Sequence, residues 1–199
     1  MDELKSDYPS NHFRHGVDSL PIPEKIFARN SGIGWISKNT NIINSQYGSY
    51  FFLTEILTDL KLSADTPTAN RCGSCSACMD ACPTKALTPY SLDASKCISH
   101  HTIEDKREPF PKDASLHSWI FGCDICQEVC PWNKKAERQG IFTSFPEFEE
   151  NGEWNKIISD DFQFQSENEY NEFVKNKAIE RISYSQWKRN IAKAESEID

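Results

Sequence analysis

The sequence predicts an α+β chain: a β-rich N-terminal part, then a cysteine module of bacterial dicluster ferredoxin type, then a small helical C-terminal region. The prediction rests on eight cysteines in two matching runs, a β-forming apolar stretch ahead of them, and caps and helical periodicity behind them. With 199 residues, 38% hydrophobic and 26% charged, the chain has the composition of a globular protein with a core of ordinary size. No stretch approaches the roughly 18 uninterrupted apolar residues of a membrane span. The N-terminal residues 1–7 lack both the basic and the apolar part of a signal peptide. The expectation is a cytoplasmic protein with no membrane contact. A formal net charge of −8 argues against wholesale coating of nucleic acid and leaves room for a local basic patch.

Taken in order, the two prolines of Val17-Asp-Ser-Leu-Pro21-Ile-Pro23 impose extended chain and permit a helix to start at Pro23 or Glu24. Ile26, Phe27 and the stem of Arg29 cover one face of it, and Asn30-Ser-Gly32 ends it. Asn41–Asn44 and Ser49–Leu57 read as two strands joined by a turn at Gln46-Tyr-Gly48. Residues 61–71 are a polar linker. Ser91–Glu104 has an N-cap and helical spacing, and Glu108-Pro-Phe-Pro111 is a loop. Beyond the cysteines the charge switches sign. Pro146–Tyr170 holds eight acidic residues against one Lys, and Lys175–Lys193 holds six basic residues against Glu180. Ser166-Glu-Asn-Glu169 is a capping box, and Ile182, Trp187 and Ile191 form an apolar helical stripe that makes Trp187 a core residue.

The cysteines carry the strongest signal. Cys72-x-x-Cys75-x-x-Cys78-x-x-x-Cys82-Pro83 is the bacterial ferredoxin run, in which three thiolates hold one cubane cluster and the fourth reaches a second. Cys123-x-x-Cys126-x-x-x-Cys130-Pro131 repeats it with one ligand displaced, and Cys97 is the only cysteine left to replace that ligand. Crossed ligation then assigns Cys72, Cys75, Cys78 and Cys130 to one [4Fe-4S] cluster and Cys82, Cys97, Cys123 and Cys126 to the other. Two four-cysteine zinc sites are the alternative. Zinc modules separate paired cysteines by longer loops and need neither four cysteines within eleven residues nor the two Cys-Pro endings, so iron–sulfur is favoured. Disulfides are disfavoured in a reducing cytosol.

Together, Val17-Asp18-Ser-Leu-Pro21, Gly32-Ile-Gly-Trp35-Ile-Ser-Lys38-Asn39-Thr40, Gly48-Ser-Tyr-Phe-Phe-Leu53-Thr-Glu55 and both cysteine runs give a sequence that resembles the epoxyqueuosine reductases. The resemblance implies a cobalamin-binding α/β domain, present here only in part, fed with electrons by the dicluster module. It divides the chain into 1–65, the C-terminal part of the cobalamin domain; 66–135, the dicluster ferredoxin-type domain; and 136–199, a helical region with a possible tRNA contact. The implied reaction removes the epoxide oxygen of epoxyqueuosine at the wobble position of tRNA anticodons. Implied cofactors are cobalamin and the two clusters, and implied partners are the tRNA, a low-potential flavodoxin- or ferredoxin-type donor, and a separate N-terminal half.

Within the resemblance, Asp18 matches the family's proton donor; without it, a turn residue is the plainer reading. Lys38 and Asn39 are assigned to corrin amides or to the phosphate-bearing tail, with a solvated turn as the alternative. Lys25, also assigned to cofactor binding, stands where the family commonly has Arg, which keeps the charge and loses bidentate geometry. Ser99 and Thr102 are assigned to the corrin edge, though helical packing accounts for them equally. His100 and His101, about 100° apart on a helix, cannot share a ligand role and are expected to make surface or polar contacts. The tRNA contact is expected from Lys175, Lys177, Arg181, Lys188, Arg189 and Lys193. The alternatives are a dicluster electron-transfer protein without activity of its own, and a corrinoid dehalogenase. The cysteine count makes a direct prediction: anaerobic reconstitution approaches about eight irons per chain with broad visible absorption. Stoichiometric zinc without that absorption would refute it.

Overall fold

The computed structural model describes residues 1–18, 20–148, 157 and 163–197. Most of the acidic stretch lies outside them. The chain forms two compact units.

Unit 1 comprises Met1–Ala81, Leu87–Leu92 and Ile125–Ile141. Its elements are α1 (Asp2–Asp7), β1 (Phe13–Gly16), α2 (Glu24–Asn30), β2 (Trp35–Ile36), β3 (Ile42–Ile43), β4 (Glu55–Thr58), α3 (Ala77–Ala81), β5 (Leu87–Thr88), β6 (Ser91–Leu92), α4 (Ile125–Glu128) and α5 (Pro131–Arg138). The strands form antiparallel pairs β1–β4, β2–β3 and β5–β6. Helix α2 follows Pro23 and gives way to Gly32 at φ +75, as the prolines and glycine predict.

The hairpin differs from expectation. Ile42–Ile43 pairs back onto Trp35–Ile36, and Glu55–Thr58 pairs with Phe13–Gly16, leaving only an isolated bridge between Asn44 and Gly48. Side chains decide this. The Ser37 amide donates to the Asn41 carbonyl and the Thr40 amide to that of Ser37, making a turn ahead of β3. Asn44 Oδ1 then accepts from the amides of Gln46 and Tyr47, closing residues 44–48 as a loop of their own. At Gly48, with φ +71, a Cβ would collide with Asn133 Oδ1, so only glycine fits. The core gathers Trp35, Ile43 and Cys130, with Cys72 and Trp132 against them; the two indoles meet edge to face at 5.1 Å.

Unit 2 comprises Cys82–Ala86, Asp93–Asp124 and Phe142–Asp199. The helix expected over Ser91–Glu104 is broken. Asp93 caps a 3₁₀ turn at Ala94–Lys96, Cys97 is extended at ψ 124, and a π-type turn follows at His100–Glu104. Helices α6 (Glu167–Val174) and α7 (Tyr184–Glu195) start at Ser166 and Ser183, whose side chains accept from the amides of Glu169 and Gln186. Phe164, Tyr170, Val174, Ile179, Ile182 and Trp187 form the core, so Trp187 is packed as its place in the stripe predicts. The Tyr170 hydroxyl donates to the Ile182 carbonyl at 2.8 Å, and burial pushes it up to about 12.

Arg189 corrects the basic-tail expectation. It is 9% exposed and donates to the carbonyls of His101, Asp105 and Arg107 and to Asn190 Oδ1, with its guanidinium 4.0 Å from the Phe110 ring. Asn190, fully buried, donates to the carbonyls of Thr102 and Ile120. These residues close the irregular segment against α7 and are not available to a phosphate. Replacing Arg189 with Met leaves three carbonyls short of a donor and is expected to cost about 3 kcal/mol in unit 2, seen as a lower urea midpoint. Lys188→Glu, at an exposed cation over Tyr184, is expected to stay within about 1 kcal/mol. Equal effects of the two changes would show that Arg189 is no staple.

Candidate functional site

Four of the eight cysteines meet in unit 1. Cys72, Cys75, Cys78 and Cys130 line one cavity of about 240 Å³, together with Ser37, Lys38, Asn39, Arg71 and Trp132 among others. Cys126 also belongs to unit 1, whereas Cys82, Cys97 and Cys123 belong to unit 2. None of the eight is in a disulfide. Among the described residues no group of three or more His, Cys, Asp or Glu side chains is spaced to hold a single metal ion.

Local hydrogen bonds shape each loop. Asn70 donates to the Ile36 carbonyl and accepts from the Cys72 amide at 2.9 Å, and the Cys75 amide closes onto the Cys72 carbonyl around Gly73 at φ +51. Lys38 Nζ donates to the carbonyls of Gly73 at 2.7 Å and Cys75 at 2.8 Å. Asn39, 4% exposed, accepts from the Ser37 hydroxyl and donates to the Cys126 carbonyl at 3.0 Å. The pair assigned to a corrin thus grips both cysteine runs. Cys130 is the N-cap of α5, and Pro131 opens that helix. Asn133, on the first turn of α5, holds the Ser49 amide, the Ser49 hydroxyl and the Gln127 carbonyl.

Burial pushes the Cys78 thiol up, with Cys130 and Cys72 adding to the shift. It does the same to Cys130, helped by Cys72 and Cys75 and opposed by the backbone amides of Trp132 and Asn133. Cys78 and Cys130 therefore sense the neighbouring cysteines. Trp35 Nε1, buried in the same core, has no hydrogen-bond partner. Four thiols on one cavity, Cys130 among them buried beside the unpaired Trp35 Nε1, suit a polynuclear sulfur cluster, whose charge and acceptors answer both features.

Asp18 lies elsewhere in unit 1. It is exposed, in the left-handed region at φ 49, and its amide donates to Glu24 Oε1 at 2.9 Å. With Leu20, Ile22, Pro23, Glu24, Lys25 and Ile26 it lines an open depression of about 370 Å³. Lys25 is exposed and donates to the Thr40 carbonyl. The sequence reading missed Glu24 and Glu55. Burial raises the Glu55 carboxyl above the usual range, and the neighbouring Glu24 carboxylate adds to this. The signal was present, since Glu55 interrupts an apolar β-forming run.

In unit 2, Ser99 is half-buried and Thr102 fully buried. The Thr102 hydroxyl donates to the Ile98 and Ser99 carbonyls and accepts from the Gly122 amide, beside Cys123, so its bonds all go to protein groups. His101 is buried between Asp105 Oδ2 at 3.1 Å and the Ser95 carbonyl at 2.9 Å, the polar-contact role expected of it.

A family model described as a 4Fe-4S double cluster binding domain matches residues 71–133. The epoxyqueuosine reductase of Leadbetterella byssophila is 45% identical over 88% of this chain, and that of Gloeobacter violaceus 41% identical over 89%. The chain spans 57% of the length of each. A selenomethionine-labelled epoxyqueuosine reductase has the same fold at TM-score 0.82 and 31% identity, with 97% of this chain and 51% of that one aligned. An epoxyqueuosine reductase with an epoxyqueuosine-modified tRNA-Tyr stem loop aligns at TM-score 0.74 and 32% identity, covering 97% of this chain and 50% of that one.

The Glu24–Glu55 pair makes a pH prediction. The folded state keeps a proton on Glu55 above the ordinary value of 4.5, where the unfolded chain has lost it, so stability falls as pH rises through that window. Glu55→Gln removes the fall, so urea midpoints of wild type and variant should diverge from about pH 4.5 upward, with the variant the more stable. Parallel curves would show that the Glu55 carboxyl is not raised in the folded chain.

Proposed function

We propose, for a chain of the epoxyqueuosine reductase family, that it carries the electron-relay and proton-donating portion of an enzyme that converts epoxyqueuosine to queuosine at the wobble position of tRNA anticodons. The observation that carries this reading is the convergence of Cys72, Cys75, Cys78 and Cys130 on one cavity. Those four are the proposed ligands of one [4Fe-4S] cluster; Cys82, Cys97, Cys123 and Cys126 are proposed for the other from their spacing alone. The functional segments proposed are 1–65, 66–135 and 136–199, with the roles that the resemblance implies.

Removing an epoxide oxygen requires a two-electron donor at carbon and a proton for the departing oxygen. Cobalamin, when bound and reduced, supplies the donor that no side chain provides. Asp18 is the proposed general acid. Its left-handed backbone is fixed through Glu24 Oε1, on the same depression. Lys25, on the same depression, is the proposed contact to the corrin or to substrate phosphate. The depression is small and open for a corrin, so further chain, such as the family's N-terminal half, is proposed to complete the walls. Exposed Lys175, Arg181 and Lys188 are proposed for the tRNA, although Arg181 also pairs with Glu104 at 2.8 Å. A low-potential flavodoxin- or ferredoxin-type protein is the proposed reductant and the cytoplasm the proposed location. No helix among the described residues is long and apolar enough to cross a membrane.

The test is Asp18→Asn in an enzyme completed with the N-terminal half. Clusters and cobalamin should remain bound while queuosine formation falls about 10²- to 10⁴-fold. Wild-type turnover in the variant would end the catalytic claim. Loss of bound cobalamin would make Asp18 a structural residue of the pocket.

A further inference from the structure

We infer that Lys38 sets the reduction potential of the cluster held by Cys72, Cys75, Cys78 and Cys130, as a fixed cation in the wall of its cavity; the inference rests on the proposed ligand role of those cysteines. Lys38 stands on the turn between β2 and β3, half-buried, and its side chain lines the cavity. Two short hydrogen bonds to the Gly73 and Cys75 carbonyls fix its ammonium on the loop that presents Cys72 and Cys75. The cavity lining contains a second cation, Arg71, and no carboxylate. Arg71 is exposed, so water and salt screen it, whereas Lys38 is held in place.

A cluster bound by four thiolates gains one negative charge when it accepts an electron from a low-potential donor. A cation held at the cavity wall stabilises the reduced state more than the oxidised one, and so raises the potential. Hydrogen bonds to the two carbonyls place this charge but do not cancel it. Lys38 is therefore a positioning residue for the electron relay: it makes the cluster easier to reduce by the donor.

The experiment uses the full 199-residue chain, reconstituted anaerobically, with iron content, visible absorption and a potentiometric titration followed by EPR. In Lys38→Met and Lys38→Gln, one of the two cluster transitions should move to lower potential by about tenfold in the reduced-to-oxidised ratio, which is ~59 mV for a one-electron couple. Lys38→Arg, which keeps the charge, should stay near wild type. All three should load about eight irons. Potentials unchanged in fully loaded Met and Gln variants would overturn the inference. Met and Gln variants that lose iron while Arg keeps it, or a potential that follows loop mobility in all three, would make Lys38 a loop clamp only and equally overturn it. A wild-type chain that takes up zinc instead of iron would remove the cluster reading itself, a failure distinct from these because it appears before any substitution.

Discussion

Thiolates are needed to hold a cluster, and burial makes thiolates costly. That conflict shapes unit 1. Cys130 sits in its core beside Trp35 and Ile43, where burial raises its thiol, and the amides at the start of α5 are aimed to offset this. Lys38 brings a positive charge to the same cavity. The neighbouring structure serves to hold these groups still. Asn70 fixes the entry to the first cysteine loop, Asn39 fixes Cys126, and Asn133 holds the Gly48–Ser49 turn that leaves no room for a Cβ. Three asparagines carry this work because each offers a donor and an acceptor without adding negative charge beside cysteines that would repel one another as thiolates.

Unit 2 meets a different constraint. Its cysteine-bearing segment from Asp93 to Asp124 has little regular structure, so its carbonyls lack the partners that a helix would supply. Arg189 and Asn190, adjacent on α7, provide donors to the carbonyls of His101, Thr102, Asp105, Arg107 and Ile120. The C-terminal helices thereby act on the segment that carries Cys97 and Cys123. Asp105 adds to the same network: the Arg107 guanidinium holds its carboxyl well below the usual range, with His101 on its other side. A positive charge that looks like a nucleic-acid contact in the sequence is here an internal fastening.

The two carboxyl sites of unit 1 divide along similar lines. Asp18 is exposed and its amide is tied to the Glu24 carboxylate, whereas burial and the Glu24 charge raise the Glu55 carboxyl. Glu24 thus links the turn after β1, which carries the acid proposed for catalysis, to a carboxyl whose protonated form is favoured.

The sequence by itself determined the features that depend on spacing and local chemistry. These include the start of α2 after Pro23, its end at Gly32, the Ser166 cap, the apolar stripe of α7, and the grouping of Cys130 with Cys72, Cys75 and Cys78. Each follows from a rule that acts over a few residues or from counting ligands. Tertiary structure alone decided which strands pair, because Glu55–Thr58 chooses Phe13–Gly16 some forty residues earlier and no local signal names that partner. It also decided that Arg189 is buried, that Lys38 turns to the cysteine loop, and that Glu24 meets Glu55. A charged side chain reads the same in a sequence whether it faces water or a carbonyl, and only the packing of distant segments removes the water and fixes its partner.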